Sequence, residues 1–291
     1  MKTLIVGKNG QLGRELAARA PRHWQVTALG STDMDIRDRE AVSRAVEELR
    51  PELVINVAAY TAVDRAESEP EAAYAINGHG VAHLAEAAMT AGAKLIHVST
   101  DFVFDGRNST PYRPADRTNP VSVYGASKLE GERLAAAFGG ARALVVRTSW
   151  LYGSRGKNFV TTMLQLLASR EELRVVADQV GTPTWTGGLA DALCRLAALD
   201  VSGILHWSDA GVASWYDFAV AIQEEGLALG LLSRKIPVHP IRTEEYPTPA
   251  RRPAYSVLDK SETWRLLGAS APHWRVNLRK MLQELKEIQD G

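Results

Sequence analysis

Apolar residues along the first half of the chain alternate between two spacings. Thr3–Val6, Gln25–Leu29, Leu53–Val57, Leu95–Ser99 and Ala143–Arg147 are short runs bounded by Gly, Pro or polar residues, and their composition predicts strands. Between them the apolar positions take helical spacing. Leu12, Leu16, Ala17 and Ala20 follow the first strand, and Ala41, Val42, Ala45, Val46 and Leu49, closed by Pro51, follow the second. Asn77–Ala91 and a segment from Tyr124 to about Phe138 are further helices, whereas Pro111, Pro114 and Pro120 make the stretch between them a loop. Asp38 reads as a helix start, and the acid-rich Asp64–Glu71 run as a solvated loop and helix start. Strands alternating with helices over about 150 residues predict a parallel sheet covered on both faces.

After Trp150 the alternation loosens. Asn158–Ser169 and Gly188–Leu199 read as helices, Gly203–Leu205 as a short strand and Lys235–Glu245 as loop or edge strand. Ser214-Trp215-Tyr216-Asp217 has the form of a capping box, and Val276–Ile288 is an amphipathic terminal helix. The expected organisation is a dinucleotide-binding unit over 1–150 and a smaller, mainly substrate-binding lobe over 151–291, some of whose segments return to the first unit. A ligand cleft would lie between them. The fold class is α/β, a Rossmann-like doubly wound parallel sheet with a smaller C-terminal α/β lobe.

Composition narrows the chemistry. The 34 basic and 34 acidic residues cancel, so no nucleic-acid partner is advertised. The single Cys194 excludes an internal disulfide and zinc-type cysteine clusters, and a packed thiol is expected. The opening run breaks at Gly7, too short for a signal peptide or membrane span, so a cytoplasmic chain is expected. His79 and His83 lie four apart, but no Glu follows His79 as in a zinc-protease helix, and no metal is expected there. Trp207, Trp215 and Trp264 are expected in the core.

Three stretches carry candidate chemistry. Gly7-Lys8-Asn9-Gly10-Gln11-Leu12-Gly13 joins the first strand to a helix, the arrangement in which backbone N–H groups and a helix N-terminus receive a pyrophosphate. Its cofactor would be NADPH or NADH; the second strand ends Leu29-Gly30-Ser31 without the acid that grips ribose hydroxyls, a lean toward NADPH. Asp35-Ile36 could flank the adenine, and the residues of Ala58-Ala59-Tyr60-Thr61 let the backbone approach the nucleotide. Thr100 closes the fourth strand, and Tyr124 and Lys128 share one helix face. A nearby ammonium favours a phenolate, by at most ~4 kcal/mol at about 4 Å and an effective dielectric near 20. Such a phenol can protonate a carbonyl oxygen as hydride arrives, with Thr100 holding the same oxygen.

These motifs resemble the extended short-chain dehydrogenase/reductase superfamily. Longer strings narrow the resemblance: Ala58–Asp64 with Glu67–Pro70, Ser99–Gly106, Arg147–Trp150, Asp178–Thr184 and Tyr246–Pro253. Together they are similar to the dTDP-4-dehydrorhamnose reductase family across nearly the whole chain. The resemblance implies Thr100, Tyr124 and Lys128 as the catalytic set. It implies Gly10, Gln11, Leu12, Asp35, Ile36, Ala59, Tyr60, Thr61 and Lys128 at the cofactor, and Asp101 and Trp150 at a nucleotide-sugar, dTDP-4-dehydro-L-rhamnose. Arg251 and Arg252 are candidates for the diphosphate. Dehydratases of the superfamily show Asp-Glu after the Thr; here Asp101-Phe102 lacks the second acid, which favours ketone reduction over elimination. Glu15 resembles one glutamate of a magnesium site at a homodimer interface in some relatives, but Gly187-Gly188 offers no counterpart for its partner. Rival expectations are a reductase or epimerase of another nucleotide sugar, and a cofactor-binding regulatory subunit without chemistry.

Overall fold

The computed structural model describes residues 1–290. Five parallel strands, β1 (Lys2–Val6), β2 (Gln25–Leu29), β3 (Leu53–Asn56), β4 (Lys94–Thr100) and β5 (Ala143–Thr148), lie in the order β2-β1-β3-β4-β5. A sixth, Gly203–His206, returns from the second half and pairs in parallel with β5. Side chains alternate across the sheet because successive Cβ atoms point to opposite faces. Ile5, Ile55, Ile96 and Leu144 pack on one face with Leu12 and Leu16 of helix α1 (Gln11–Arg19) and Leu189 and Leu193 of the Thr186–Ala197 helix. Leu4, Val54, Leu95 and Val145 pack on the other with Val42, Val46, Leu84 and Ala135. Covering both faces leaves the carboxyl edge of the sheet as the open surface. The order reverses at β1, where β2 lies on one side and β3 on the other, and ligands of such sheets collect at this point.

The remaining segments build a second core around Tyr152, Trp185, Phe218, Ile222, Leu278 and Leu282. Its strands are short pairs: Leu151–Tyr152 with Thr184–Trp185, Val180–Gly181 with Ala213–Ser214, and Leu173–Val176 with Val238–Ile241. The last pair resolves the Lys235–Glu245 stretch as containing a strand. Ser214 caps the Trp215–Ala228 helix, with reciprocal bonds between Ser214 and Asp217. Asp38 accepts from Ala41 N–H at 3.0 Å and caps the Arg39–Leu49 helix. The Asn77–Ala91 stretch is helical as expected, through a π-helical turn over Ala75–His79 followed by an α-helix over Gly80–Thr90. The Asp64–Glu71 run is partly helical, in Val63–Ala66 and Pro70–Tyr74. Cys194 packs in the first core, where burial pushes its thiol up to about 11. No helix among the described residues is long and apolar enough to cross a membrane.

Candidate active site

β1 ends at Val6 and the chain turns at Gly7, whose φ of +103° suits glycine. A Cβ on Gly7 would meet Ala58 N at 2.7 Å, so this turn lies against the end of β3. A Cβ on Gly13 would stand 2.1 Å from the Gly7 carbonyl oxygen, so α1 approaches the turn as only glycine permits. Helix α1 has no side-chain cap and no acidic residue in its first turn. Its leading N–H groups and positive dipole end therefore remain available to an anion such as a pyrophosphate. Gly13→Ala is expected to displace this turn and weaken NADPH and NADH binding at least about tenfold, read by calorimetry; an unchanged Kd would remove the close approach from the account.

The turn opens onto a cavity of about 860 Å³ at the carboxyl edge of the sheet. Gly7, Gly10, Gln11, Leu12, Gly13, Asp35, Ile36, Ala59, Thr61, Thr100, Asp101, Tyr124, Lys128 and Trp150 all line it. Tyr60, Arg251 and Arg252 do not. The Tyr60 hydroxyl donates to Glu69 at 2.8 Å, which turns the ring aside, while its backbone N–H and C=O are bound by Asn77. Arg252 pairs with Asp64 at 2.8 Å, and Arg251 is exposed.

At the β2 end of the cavity a side chain at Gly30 would meet Asn9 Nδ2 at 2.8 Å, so Asn9 would have to swing aside to admit an acid there. The nearest carboxylate, Asp33, is already held by the Gly30 N–H at 2.7 Å and by Lys8 at 2.6 Å. Asp35 accepts from Arg37, which also lines the cavity, and this pairing holds its carboxyl below the usual range.

The catalytic candidates meet where β4 ends. Ser122 caps the Val123–Gly139 helix by accepting from Gly125 N–H, and this fixes the first turn that carries Tyr124. Phe102 packs edge-on to the Tyr124 ring, with centroids 5.6 Å apart. Protein atoms crowd the Tyr124 hydroxyl, and desolvation pushes it up to about 12 against the opposing influence of the Thr100 hydroxyl. The expected lowering of this phenol by Lys128 is thus absent here. The lysine instead donates to the Val98 carbonyl at 2.8 Å and lies 3.3 Å from His97 Nε2. Its own burial lowers it to about 8.

Asp101 is 2% exposed. The Thr100 hydroxyl donates to its Oδ1 at 3.0 Å, whereas Oδ2 makes no hydrogen bond and burial raises the carboxyl to about 6. The Thr148 hydroxyl, also on the cavity wall, is unpartnered as well. Orphaned buried polar atoms around a roomy cavity fit a polar ligand. Because the folded protein holds the Asp101 proton more tightly than the unfolded chain, this group costs stability as pH rises from about 4 to about 6. Asp101→Asn is therefore expected to raise Tm at pH 7.5, with the gain vanishing below about pH 4; a lower Tm at pH 7.5 would contradict this burial penalty.

Residues 1–287 match the family model described as the RmlD substrate binding domain. A dTDP-4-dehydrorhamnose reductase of Sinorhizobium fredii is 42% identical over 98% of both chains. The crystal structure of such a reductase from Clostridium acetobutylicum superimposes with a TM-score of 0.93 at 41% identity, covering 98% of this chain and 100% of that one. One from Bacillus anthracis, in complex with NADP, has a TM-score of 0.92 at 37% identity, covering 97% of this chain and 99% of that one. The chain belongs to the dTDP-4-dehydrorhamnose reductase family.

In this member of the family the second lobe brings residues to the cavity that local sequence reasoning missed. Arg155, Gly156 and Lys157 line it from the loop before the Phe159–Ser169 helix, and Arg14, Arg37 and Asn9 join them. Asn158 binds Gln11 Oε1 at 3.0 Å, which fastens that loop to α1. Two cations flanking a glycine just after Trp150 were the available signal. Trp150 itself has φ +47° and stacks on Trp215, with ring centroids 3.6 Å apart. Trp215 thus backs a cavity wall, while Trp207 is buried and Trp264 packs against the first core. His83 Nδ1 lies 2.9 Å from the Ile36 carbonyl oxygen. Glu15 pairs with Arg19, which also reaches Asp191 and Glu284, and no group of three or more potential metal ligands occurs among the described residues.

Proposed function

We propose that this chain reduces the C4 ketone of dTDP-4-dehydro-L-rhamnose to dTDP-L-rhamnose with NADPH or NADH, the last step in making that sugar donor. The observation that carries the reading is the convergence of Thr100, Tyr124 and Lys128 in the one cavity that also receives the uncapped end of α1. Gly10, Gln11, Leu12 and Gly13 would hold the cofactor pyrophosphate, Asp35 and Ile36 its adenine end, and Ala59, Thr61 and Lys128 its nicotinamide end. A nicotinamide cofactor, when bound, supplies the hydride.

The residues of the chain supply the rest. Tyr124, like any phenol, is protonated at neutral pH, and desolvation pushes it further up to about 12, so it holds the proton a donor to the ketone oxygen requires. The Thr100 oxygen accepts from Phe102 N–H at 3.2 Å and its proton is given to Asp101 Oδ1, so to hold the ketone oxygen the hydroxyl would turn from Asp101 when substrate binds. Phe102 has nothing to titrate, so the elimination chemistry of dehydratases lacks its second acid. Trp150 and Asp101 form the sugar end. Arg155 and Lys157 line the cavity beside Gln11, where they would meet the cofactor pyrophosphate, and Arg251 and Arg252 remain the candidates for the sugar-nucleotide diphosphate. Binding energy from the remote nucleotide then fixes the ketone for attack. The test is loss of nicotinamide absorbance with dTDP-4-dehydro-L-rhamnose, set against UDP- and GDP-linked 4-ketosugars. Turnover with the dTDP sugar well above the others is expected; preference for another nucleotide would redirect the substrate assignment.

A further inference from the structure

We propose that Asn158 couples the two ends of the ligand cavity: it ties the second lobe's 153–158 loop to the cofactor helix, so that a bound dinucleotide sets the Trp150–Trp215 wall against which the sugar nucleotide docks. Asn158 is 9% exposed and does not itself line the cavity. Its Oδ1 accepts from Thr161 N–H at 3.0 Å, and a backbone N–H can only donate, so the amide orientation is set. The NH₂ is left to donate to the Gly153 carbonyl at 2.8 Å and to Gln11 Oε1 at 3.0 Å. Gln11 opens α1 at its uncapped, anion-receiving end. One side chain therefore starts the Phe159–Ser169 helix of the second core, closes its own loop and holds the first residue of the cofactor helix.

The other side of this joint leads to the sugar end. Phe159, the next residue, packs on Trp215 with centroids 4.6 Å apart, and Trp215 stacks on Trp150 at 3.6 Å. Trp150 lines the cavity; Phe159 and Trp215 do not. The Trp150 backbone, at φ +47°, has a conformation that a non-glycine residue keeps only where its surroundings hold it. Loosening Phe159 and Trp215 would let that indole leave the wall. The bias between the two arrangements comes from charge. Arg155 and Lys157 are exposed, line the cavity and have no carboxylate partner among the described residues. A pyrophosphate at the end of α1 would give both cations a partner only while their loop sits on Gln11, and a ligand shifts an equilibrium by just such a difference in binding. Asn158 is thus a positioning residue. The identity of both ligands rests on the reductase reading, whereas the joint between the lobes does not.

Calorimetry of dTDP-L-rhamnose with the full chain, alone and with saturating NADPH, reads the coupling; both ligands are in their reduced forms, so no hydride moves. NADPH is expected to tighten the sugar nucleotide at least about fivefold, and the sugar nucleotide to tighten NADPH by the same factor. Asn158→Ser keeps a hydroxyl to start the helix but cannot reach Gln11, and is expected to bring that factor close to one. A merely structural role would weaken each ligand alone and leave the factor unchanged. Should that variant fail to fold, Gln11→Leu breaks the same joint from α1, with the factor again as the readout. A wild-type factor of one, or a factor that survives loss of this hydrogen bond, would overturn the proposal. The Trp215 indole ¹H–¹⁵N peak, assigned by its loss in Trp215→Phe, needs no sugar: NADPH alone is expected to shift it in the wild type and not in Asn158→Ser. Absence of any dTDP-L-rhamnose binding would sink the substrate reading, and the indole peak would then decide the joint on its own, an unmoved wild-type peak overturning it.

Discussion

Tyr124→Phe is expected to cut turnover at least about a hundredfold while leaving cofactor affinity nearly unchanged, as loss of a general acid does. The substitution removes one oxygen and preserves the ring that packs edge-on to Phe102 at 5.6 Å. The Ser122 cap that sets the helix start also remains, so the cavity keeps its shape. The phenol stands among desolvating protein atoms that push it up to about 12, and at neutral pH it carries its proton. Steady-state kinetics with the dTDP sugar, paired with calorimetric titration of NADPH, separate chemistry from binding. Near-normal turnover in the variant would remove Tyr124 from the mechanism.

Arg147→Met is expected to destabilise the fold by about 3–5 kcal/mol, the cost of stranding one member of a buried ion pair. Arg147 is 2% and Glu132 3% exposed. The guanidinium donates to the carboxylate through Nε at 2.9 Å and Nη2 at 2.7 Å, and also reaches the Pro114 carbonyl. It lies 5.0 Å from the Phe104 ring centre and beside His206, which burial and this same cation push down to about 3. Without it, Glu132 would keep the Ser99 hydroxyl and the more distant Lys128 but lose its directly paired counter-charge. Urea denaturation should show a lower midpoint with unchanged slope, and Glu132→Gln in the same chain should restore part of the loss. A cost below about 1 kcal/mol would mean that the carboxylate can neutralise itself in place. The pair links the Val123–Gly139 helix to β5, so the residues that position Tyr124 also hold two elements of the first unit together.

Strands of the parallel sheet were legible because burial on both faces makes each a nearly continuous apolar run. Gln25–Leu29 agrees to the residue, and the other four lie within a residue or so of their expected ends. The glycine turn was legible because a strand, spaced glycines and a helix occur in immediate succession. What depended on distant pairing was not. Gly203–His206 looks like any short strand until β5 receives it, and Val238–Ile241 becomes a strand by pairing with Leu173–Val176. Tyr60 was expected at the cofactor through the family resemblance, and local sequence gave no sign that its hydroxyl would bind Glu69, nine residues later. The Lys128–Tyr124 pairing follows from helix spacing, yet that spacing says nothing of the His97 ring and Val98 carbonyl, which come from a different strand and claim the lysine.

Deuterium transfer bears most directly on the central claim. With NADPH carrying deuterium at the transferable position of the nicotinamide, the account predicts dTDP-L-rhamnose bearing one deuterium, bonded to C4 of the sugar and located by NMR. Unlabelled product, or label at any other carbon, would contradict direct ketone reduction in the cavity that Thr100, Tyr124 and Lys128 line.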